Sequence, residues 1–316
     1  MIPFEVMELS KETVVYQANP LVESRRDFSL IETRLFYIGL RDIVPKLTNK
    51  ETSWQGGYYK DFPTTMIPAQ VLVEMFGNRK YYSTLKDICR NFAKKTVEIK
   101  TLDDGDYEIY PVFAGLSYKK GTGLKLEFNP KMIPWLLDLA DKPFTKLPFE
   151  QVWALRSSYA IRILELVLQY QNTKTHERTI SIEDLKQYLG MSLDSYEGRN
   201  NTFKEKVVLG SIKDINEKTS YKVEVETIKE GRKIIAFKFK LHLPAELKRE
   251  KQKKKAQEVK DVIAGLADGK AMTGNNTPSD SQKKRPMPDF MTDKDGNKIE
   301  HPYAEPVRIK DGKVVI

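Results

Sequence analysis

One arrangement of elements occurs twice in this chain, and the repetition limits the possible folds more than any single motif does. From Ser29 to Phe128 the order reads helix, short helix, basic helix, strands; from Phe149 to Leu241 it reads the same way. Each short helix runs to a glycine, "IPAQVLVEMFG" to Gly77 and "SIEDLKQYLG" to Gly190. Glycine tolerates the left-handed backbone that closes a helix. Each is followed by a helix with one apolar and one basic stripe, then by a hairpin whose tip carries lysine and glycine. This is an α+β layout, two tandem winged-helix domains related by internal duplication. Two in tandem imply contact with a longer stretch of duplex DNA than one module spans.

The layout divides the chain into an N-terminal arm, 1–28, a first winged helix, 29–143, a second, 144–244, and a charged tail, 245–316, flexible by composition. In the arm, "TVVYQANPLV" reads as a short strand before the Asn19-Pro20 break. Ser29 with Glu32 forms a capping box for the first helix, which Pro45 stops. Residues 48–61 read as a polar loop, and Pro68 as a helix start. Leu85, Ile88, Cys89 and Phe92 share one helix face. "TVEIK", "YEIYPVFAGLSY" and "LKLEF" read as strands joined by turns at "DDGD" and "KKGTG". Pro134 and Pro143 bracket a connector helix.

The second module opens with "EQVWALRSSYAIRILELVLQYQ", which reads as one long helix. Ser181 with Asp184 caps the short helix, and Thr202 with Glu205 reads as a capping box for the next. Val208, Ile212 and Ile215 form its apolar stripe. "YKVEVETI" and "IIAFKFKL" alternate with period two around the turn "KEGRK", as a half-exposed hairpin does. In the tail, "ELKREKQKKKAQEVKD" reads as a solvated helix and "TGNNTPSDSQKKRPMPD" as a linker. "DKDGNK" and "KDGK" carry Asp-Gly turn signals and are compatible with short hairpins or with a flexible segment.

The chemistry implied is that of DNA contact. On a wheel of about 100° per residue, Ser83, Lys86, Arg90 and Lys94 lie opposite the first apolar stripe, with Arg79 on the same side. Lys206 and Lys213 lie opposite the second, and Arg199 and Thr202 extend that stripe toward its N-terminus. One face anchors such a helix while the other presents donors to the major groove and phosphates. Arginine can bond guanine in a bidentate manner, which points to Arg79, Arg90 and Arg199 for base reading and to the lysines for positioning. Asn200 and Asn201 are candidates for reading adenine. Any surface helix has a charged face, so the weight lies in two basic stripes at matching places. The tips Lys119-Lys120-Gly121 and Lys229 to Lys233, with Arg232, are placed to lie along the backbone or to enter a minor groove, although lysine and glycine are common at any exposed turn.

Composition agrees and excludes much else. Lys and Arg total 53 against 44 Asp and Glu, a net charge of +9 that favours a polyanionic partner. The single cysteine, Cys89, rules out an internal disulfide and a cysteine-cluster metal site, and reads as a small core residue. His176, His242 and His301 form no metal-binding pair, and "GLADGKAM" lacks the spacing and Ser/Thr of a phosphate loop. Asp103, Asp104 and Asp106 read as a hairpin turn, and Gly296 is misplaced for a calcium loop. No cofactor, metal site or catalytic group is expected. No signal peptide or membrane span is legible, which predicts a soluble, cytoplasmic protein.

Several stretches resemble the replication initiators of iteron-containing, theta-replicating plasmids. These are "LRSSYAIRILELVLQY" with Ser158, Tyr159, Arg162 and Glu165, "YEGRNNTFKEKVV", "IKDINEKTSYKVEVETIKEGRKIIAFKF", and "NPLVESRRDFSLIETRLFYIGL" near the start. The resemblance covers about residues 14–243 and leaves the tail unassigned. It implies tandem winged helices that bind direct DNA repeats at an origin, help melt an adjacent A·T-rich region and recruit the host replication initiator and helicase. It also implies homodimers, formed largely through the first module, that repress the protein's own gene or limit copy number, and it implies no enzymatic activity. Leu30, Tyr37 and Val44 do not make a leucine zipper. A transcriptional repressor with the same two modules fits the residues equally. A rolling-circle nickase does not, since it would need a histidine pair.

Overall fold

The computed structural model describes residues 13–43, 64–76, 81–100, 107–137, 139–140, 142–245, 247 and 249, and four short strands beyond residue 289. β1 (Val14–Ala18) passes directly into one helical turn, α1 (Asn19–Val22). α2 (Leu30–Arg41) starts at the predicted capping box: the Ser29 hydroxyl accepts from the Glu32 amide, and the Glu32 carboxylate accepts from the Ser29 amide. β2 (Thr64–Pro68) leads into α3 (Ala69–Phe76), and α4 (Tyr81–Phe92) follows. The loop at 48–61, the closing Gly77 and Arg79 lie outside the described residues.

β3 (Thr96–Lys100), β4 (Tyr107–Pro111), β5 (Phe113–Lys119) and β6 (Gly123–Phe128) complete the first module. The stretch expected as one strand is two. β4 pairs with β3, whereas β5 pairs with β6. Pro111 has no amide to continue a ladder, and the amide of Val112 donates instead to the Lys95 carbonyl. The connector helix is confined to one turn, α5 (Ile133–Leu136), after a 3-10 turn at Pro130–Met132.

β7 (Phe144–Pro148) was not legible in the sequence; it pairs with β1 along its whole length, from Val14 opposite Pro148 to Ala18 opposite Phe144. The long helix expected over 150–171 is broken into α6 (Phe149–Ala154) and α7 (Ser158–Leu168). Leu155 is extended, the Arg156 amide is taken by the Asp214 carboxylate at 2.8 Å, and the Ser157 hydroxyl caps the Ala160 amide. Backbone groups satisfied in this way are not available to continue a helix.

In the second module β8 (Glu177–Ser181) enters α8 (Ile182–Tyr188), capped as predicted by Ser181 accepting from the Asp184 amide. A continuous helical run then comprises α9 (Asn200–Phe203), a π-helical segment (Lys204–Leu209) and α10 (Gly210–Lys218). The Thr202–Glu205 box does not form, because the helix starts after Arg199 and Thr202 lies inside its first turn. β9 (Lys222–Glu230) and β10 (Lys233–His242) form the expected hairpin.

The duplication is visible in the sheets. The first is ordered β2-β6-β5 and the second β8-β10-β9. In each, the strand before the short helix pairs with the last strand, which pairs with its hairpin partner. The first module differs by the added β3-β4 hairpin. Its core is aromatic: Phe28, Phe36, Phe92, Phe113 and Phe128 meet in edge-on and tilted pairs. Gly39 makes room for this cluster, since a Cβ there would lie 2.7 Å from the Phe128 ring.

The chain forms two units, residues 1–242 and 243–316. In the second, β11 (Phe290–Thr292) pairs with β12 (Lys298–Glu300), and β13 (Arg308–Lys310) with β14 (Lys313–Val315). Of the two readings of the Asp-Gly signals, hairpins are what form. The charged segment 246–261 lies largely outside the described residues.

A polar network is buried where the arm meets α7. The Glu165 carboxylate has no exposure and accepts from Arg26 at 2.5 Å, from Arg162 and from the Tyr37 hydroxyl. Arg26 also donates to Gln17, and Arg162 to the carbonyls of Val22, Ser24 and Tyr188. Glu165→Ala would leave two buried guanidiniums without their counter-charge. It is expected to destabilise the protein by about 3–5 kcal/mol in equilibrium urea unfolding. Loss of Lys240, whose 4.0 Å pair with Glu177 is exposed, should change stability by less than about 1 kcal/mol.

Candidate nucleic-acid interface

The helical run that starts at Asn200 is set by the loop before it. Gly190 and Gly198 have positive φ, as does Tyr196 at 60°, and successive turns close at Ser195, Glu197 and Arg199. The loop is fastened from below by Lys186, a buried side chain whose Nζ donates to the Leu193 carbonyl at 2.7 Å. Sequence reading missed Lys186, because a lysine in a polar helix looks solvated. Phe203, Val207, Val208, Ile212 and Ile215 face the core. Arg199, Asn201, Lys206 and Lys213 are exposed on the outer side, and Thr202 is half-buried. Lys213 shares its surface with Glu217 at 3.9 Å.

Asn200 has a partner within the protein. It is half-buried, and its Nδ2 donates to the Ile234 carbonyl in β10 at 3.0 Å. One of the two hydrogens of its amide nitrogen is engaged in this way.

In the first module, α4 buries Leu85 and Phe92 and half-buries Ile88 and Cys89. Lys86 and Arg90 are exposed on the other side, with Asp87 3.7 Å from Arg90, and Lys94, expected on the helix, is exposed in the turn that follows it. Ser83 lies in this helix; its side chain, like Arg79, is outside the described residues. The two helices therefore each present a cationic face opposite an anchored one, tempered by Asp87 in the first and by Glu205 and Glu217 in the second.

The wings end in tight turns. Lys119 faces Gly123 across the first tip, with Gly121 at φ 81° and Lys119 and Lys120 exposed. Gly123 can carry no side chain, since a Cβ would lie 2.0 Å from the Ile67 carbonyl oxygen. In the second wing Glu230 faces Lys233 across Gly231-Arg232, and Lys229, Arg232 and Lys233 are all exposed. Their cations project where no protein carboxylate pairs with them among the described ion pairs.

Residues 14–168 match the family model described as "Initiator Replication protein, WH1", and residues 181–241 that described as "Initiator Rep protein, WH2". The chain is 28% identical over 244 residues to a curated replication initiation protein of Escherichia coli, covering 75% of this chain and 72% of that one. Its fold is similar to the crystal structure of the Pi initiator protein in complex with iteron DNA, with a TM-score of 0.57 and 20% identity over 75% of this chain and all of that one.

Among the described residues no group of three His, Cys, Asp or Glu is placed to hold a metal ion, and no helix is long and apolar enough to cross a membrane. His176 rests its Nδ1 against the Tyr170 carbonyl, His242 lies 3.0 Å from Glu224, and His301 lies outside the described residues, as do Asp103, Asp104 and Asp106. Burial pushes the Cys89 thiol up to about 11. The thiolate is the reactive form, so Cys89 should resist alkylation at pH 8. Labelling should rise steeply only as pH approaches 11, as followed by mass spectrometry. Rapid labelling at pH 8 would contradict this placement.

Proposed function

The chain belongs to the family of initiator replication proteins, and from that premise we propose that it starts plasmid replication by binding direct repeats, or iterons, in double-stranded origin DNA. The observation that carries this reading is the repeated sheet order, β2-β6-β5 and β8-β10-β9, with a cationic outer face on the recognition helix of each module. Two such helices in successive major grooves would span about two turns of duplex, about 10.5 bp each. The Pi initiator, similar in fold, is bound to iteron DNA, which supports the same assignment. Opening of adjacent A·T-rich DNA, recruitment of the host initiator and helicase, and autorepression belong to the same proposal. So does action in the cytoplasm.

Within it, Arg90 and Arg199 read bases, with Asn201 beside Arg199. Lys86, Lys94, Lys206 and Lys213 hold phosphates, and the tips at Lys119, Lys120, Lys229, Arg232 and Lys233 contact the flanking backbone. Arg79 is assigned to base reading with Arg90 and Arg199, and Ser83 and Thr202 to the same DNA-facing stripes. The domain limits proposed are 29–143 and 144–244. The dimer is assigned to the first module, where β4 pairs only with β3 among the described strands. β4 exposes Tyr107 and Ile109, at 62% and 52%. The outer edge of β3 is bridged to Arg25, which leaves the edge of β4 open to a second copy.

Footprinting at about 0.15 M salt on DNA flanking the gene tests the reading. Protection of evenly spaced direct repeats, with permanganate-reactive thymines beside them, is the expected result. Protection of a promoter inverted repeat alone would favour a repressor. Arg199→Ala should cost about 1–3 kcal/mol and relax preference at one base position, whereas Lys206→Ala should weaken all sequences alike and reduce the salt slope by about 1. In sedimentation, Tyr107→Lys with Ile109→Lys should shift any dimer to monomer while leaving thermal stability unchanged.

A further inference from the structure

We infer that Asn200 is a positioning residue that locks the second recognition helix to its wing, so that the two engage DNA as one body. The inference rests on the DNA-binding reading above and deepens it. Asn200 is the first residue of α9, and its Nδ2 donates to the carbonyl of Ile234. That carbonyl sits at an irregularity in the wing. Ile234 faces Lys229 and Ala236 faces Ile228, so Ile235 is an extra residue on β10. A bulge of this kind bends its strand and sharpens the local twist. The direction in which the tip leaves the body is therefore decided at Ile234–Ala236.

Below the bulge the wing is held by the core, with Phe237 packed on Phe203 and Phe239. Beyond it, residues 229–233 are all exposed. The Asn200 bond lies at this boundary. It is the outermost side-chain bond from helix to wing among the described hydrogen bonds. The helix end that carries Arg199 and the hairpin that carries Arg232 thus share one polar tie. A carbonyl acceptor requires a donor there, which the asparagine amide supplies and an ionised aspartate of the same shape does not.

The test compares the full-length protein with Asn200→Asp, Arg232→Ala and the double variant, in equilibrium binding to the repeat DNA. Lys213→Ala, toward the far end of the helix, is the reference partner for Arg232→Ala. Coupled residues lose less together than the product of their separate losses, while distant ones multiply. Asn200→Asp should weaken binding about tenfold and Arg232→Ala about fivefold, and the double variant about tenfold rather than fiftyfold. Lys213→Ala with Arg232→Ala should multiply. In the DNA-free protein, amide exchange across 229–235 should quicken about tenfold in Asn200→Asp while α7 and β8 stay protected. Multiplicative losses for the Asn200 pair, or unchanged wing exchange, would overturn the coupling. A wild-type protein with no repeat preference would overturn the DNA reading, and the exchange measurement alone would then decide the role of Asn200.

Discussion

A carboxylate with no access to water must be held by charges brought to it, and Glu165 draws them from three places. Arg26 comes from the arm, Tyr37 from the first long helix, and Arg162 from one turn earlier on its own helix. Apolar packing is non-directional, so phenylalanine contacts alone would let these segments slide. Charge-assisted hydrogen bonds are short and directional, and they fix orientation as well as proximity. Burial, and then the neighbouring Glu165 charge, raise the Tyr37 phenol well above its ordinary range, so its hydroxyl stays a donor. Arg162 spends its remaining donors on the carbonyls of Val22 and Ser24 in the arm and of Tyr188 at the end of α8. One anion thereby joins the arm, both modules and the short helix that precedes the second recognition helix.

The arm becomes a wedge as a result. Beside the Glu165 network, Glu23 pairs with Arg178 at 2.5 Å, and Arg178 also reaches the Leu166 carbonyl and the face of Tyr170. Gly190 closes α8 directly against the arm: its φ is 71°, and a Cβ would stand 2.4 Å from the Arg26 carbonyl oxygen. No side chain fits between the end of that helix and residues 26–27. The placement of α7 and α8 against the first module thus depends on the arm, in line with buried ion networks acting as specifiers of arrangement.

What the sequence made legible was whatever depends on local phase. The Ser29 and Ser181 caps, the alternation of β9 and β10, and the exposure of Lys86, Arg90, Lys94, Lys206 and Lys213 follow from helix and strand periods alone. The failures share one cause. The break at 155–157 is made by Asp214 and the break at Val112 by Lys95. Each partner is distant in sequence, and no local pattern contains it. Thr202 and Glu205 have the spacing of a capping box, but Tyr196 and Gly198 turn the chain into helix earlier. Arg162 and Glu165 were conspicuous as part of the resemblance, yet their work appears only once Arg26, 139 positions away, is brought to them.

The π-helical segment changes how the second basic face should be read. A wheel at about 100° per residue assumes a regular helix; a wider turn advances less per residue, so positions before and after it lose their common phase. Two packing demands explain the widening. At the N-terminal end Phe203 must lie between Tyr196 and Phe237, while farther along Ile212 and Ile215 must stay buried as α10 packs on α7. The π segment, Lys204–Leu209, lies between the two. The cost falls on the outer face, where Arg199 and Asn201 are turned relative to Lys213 and the cationic stripe drifts around the helix. On the DNA-binding proposal that drift separates two tasks. The N-terminal residues enter the groove floor, and the lysines beyond the π turn meet the phosphate wall as it winds past.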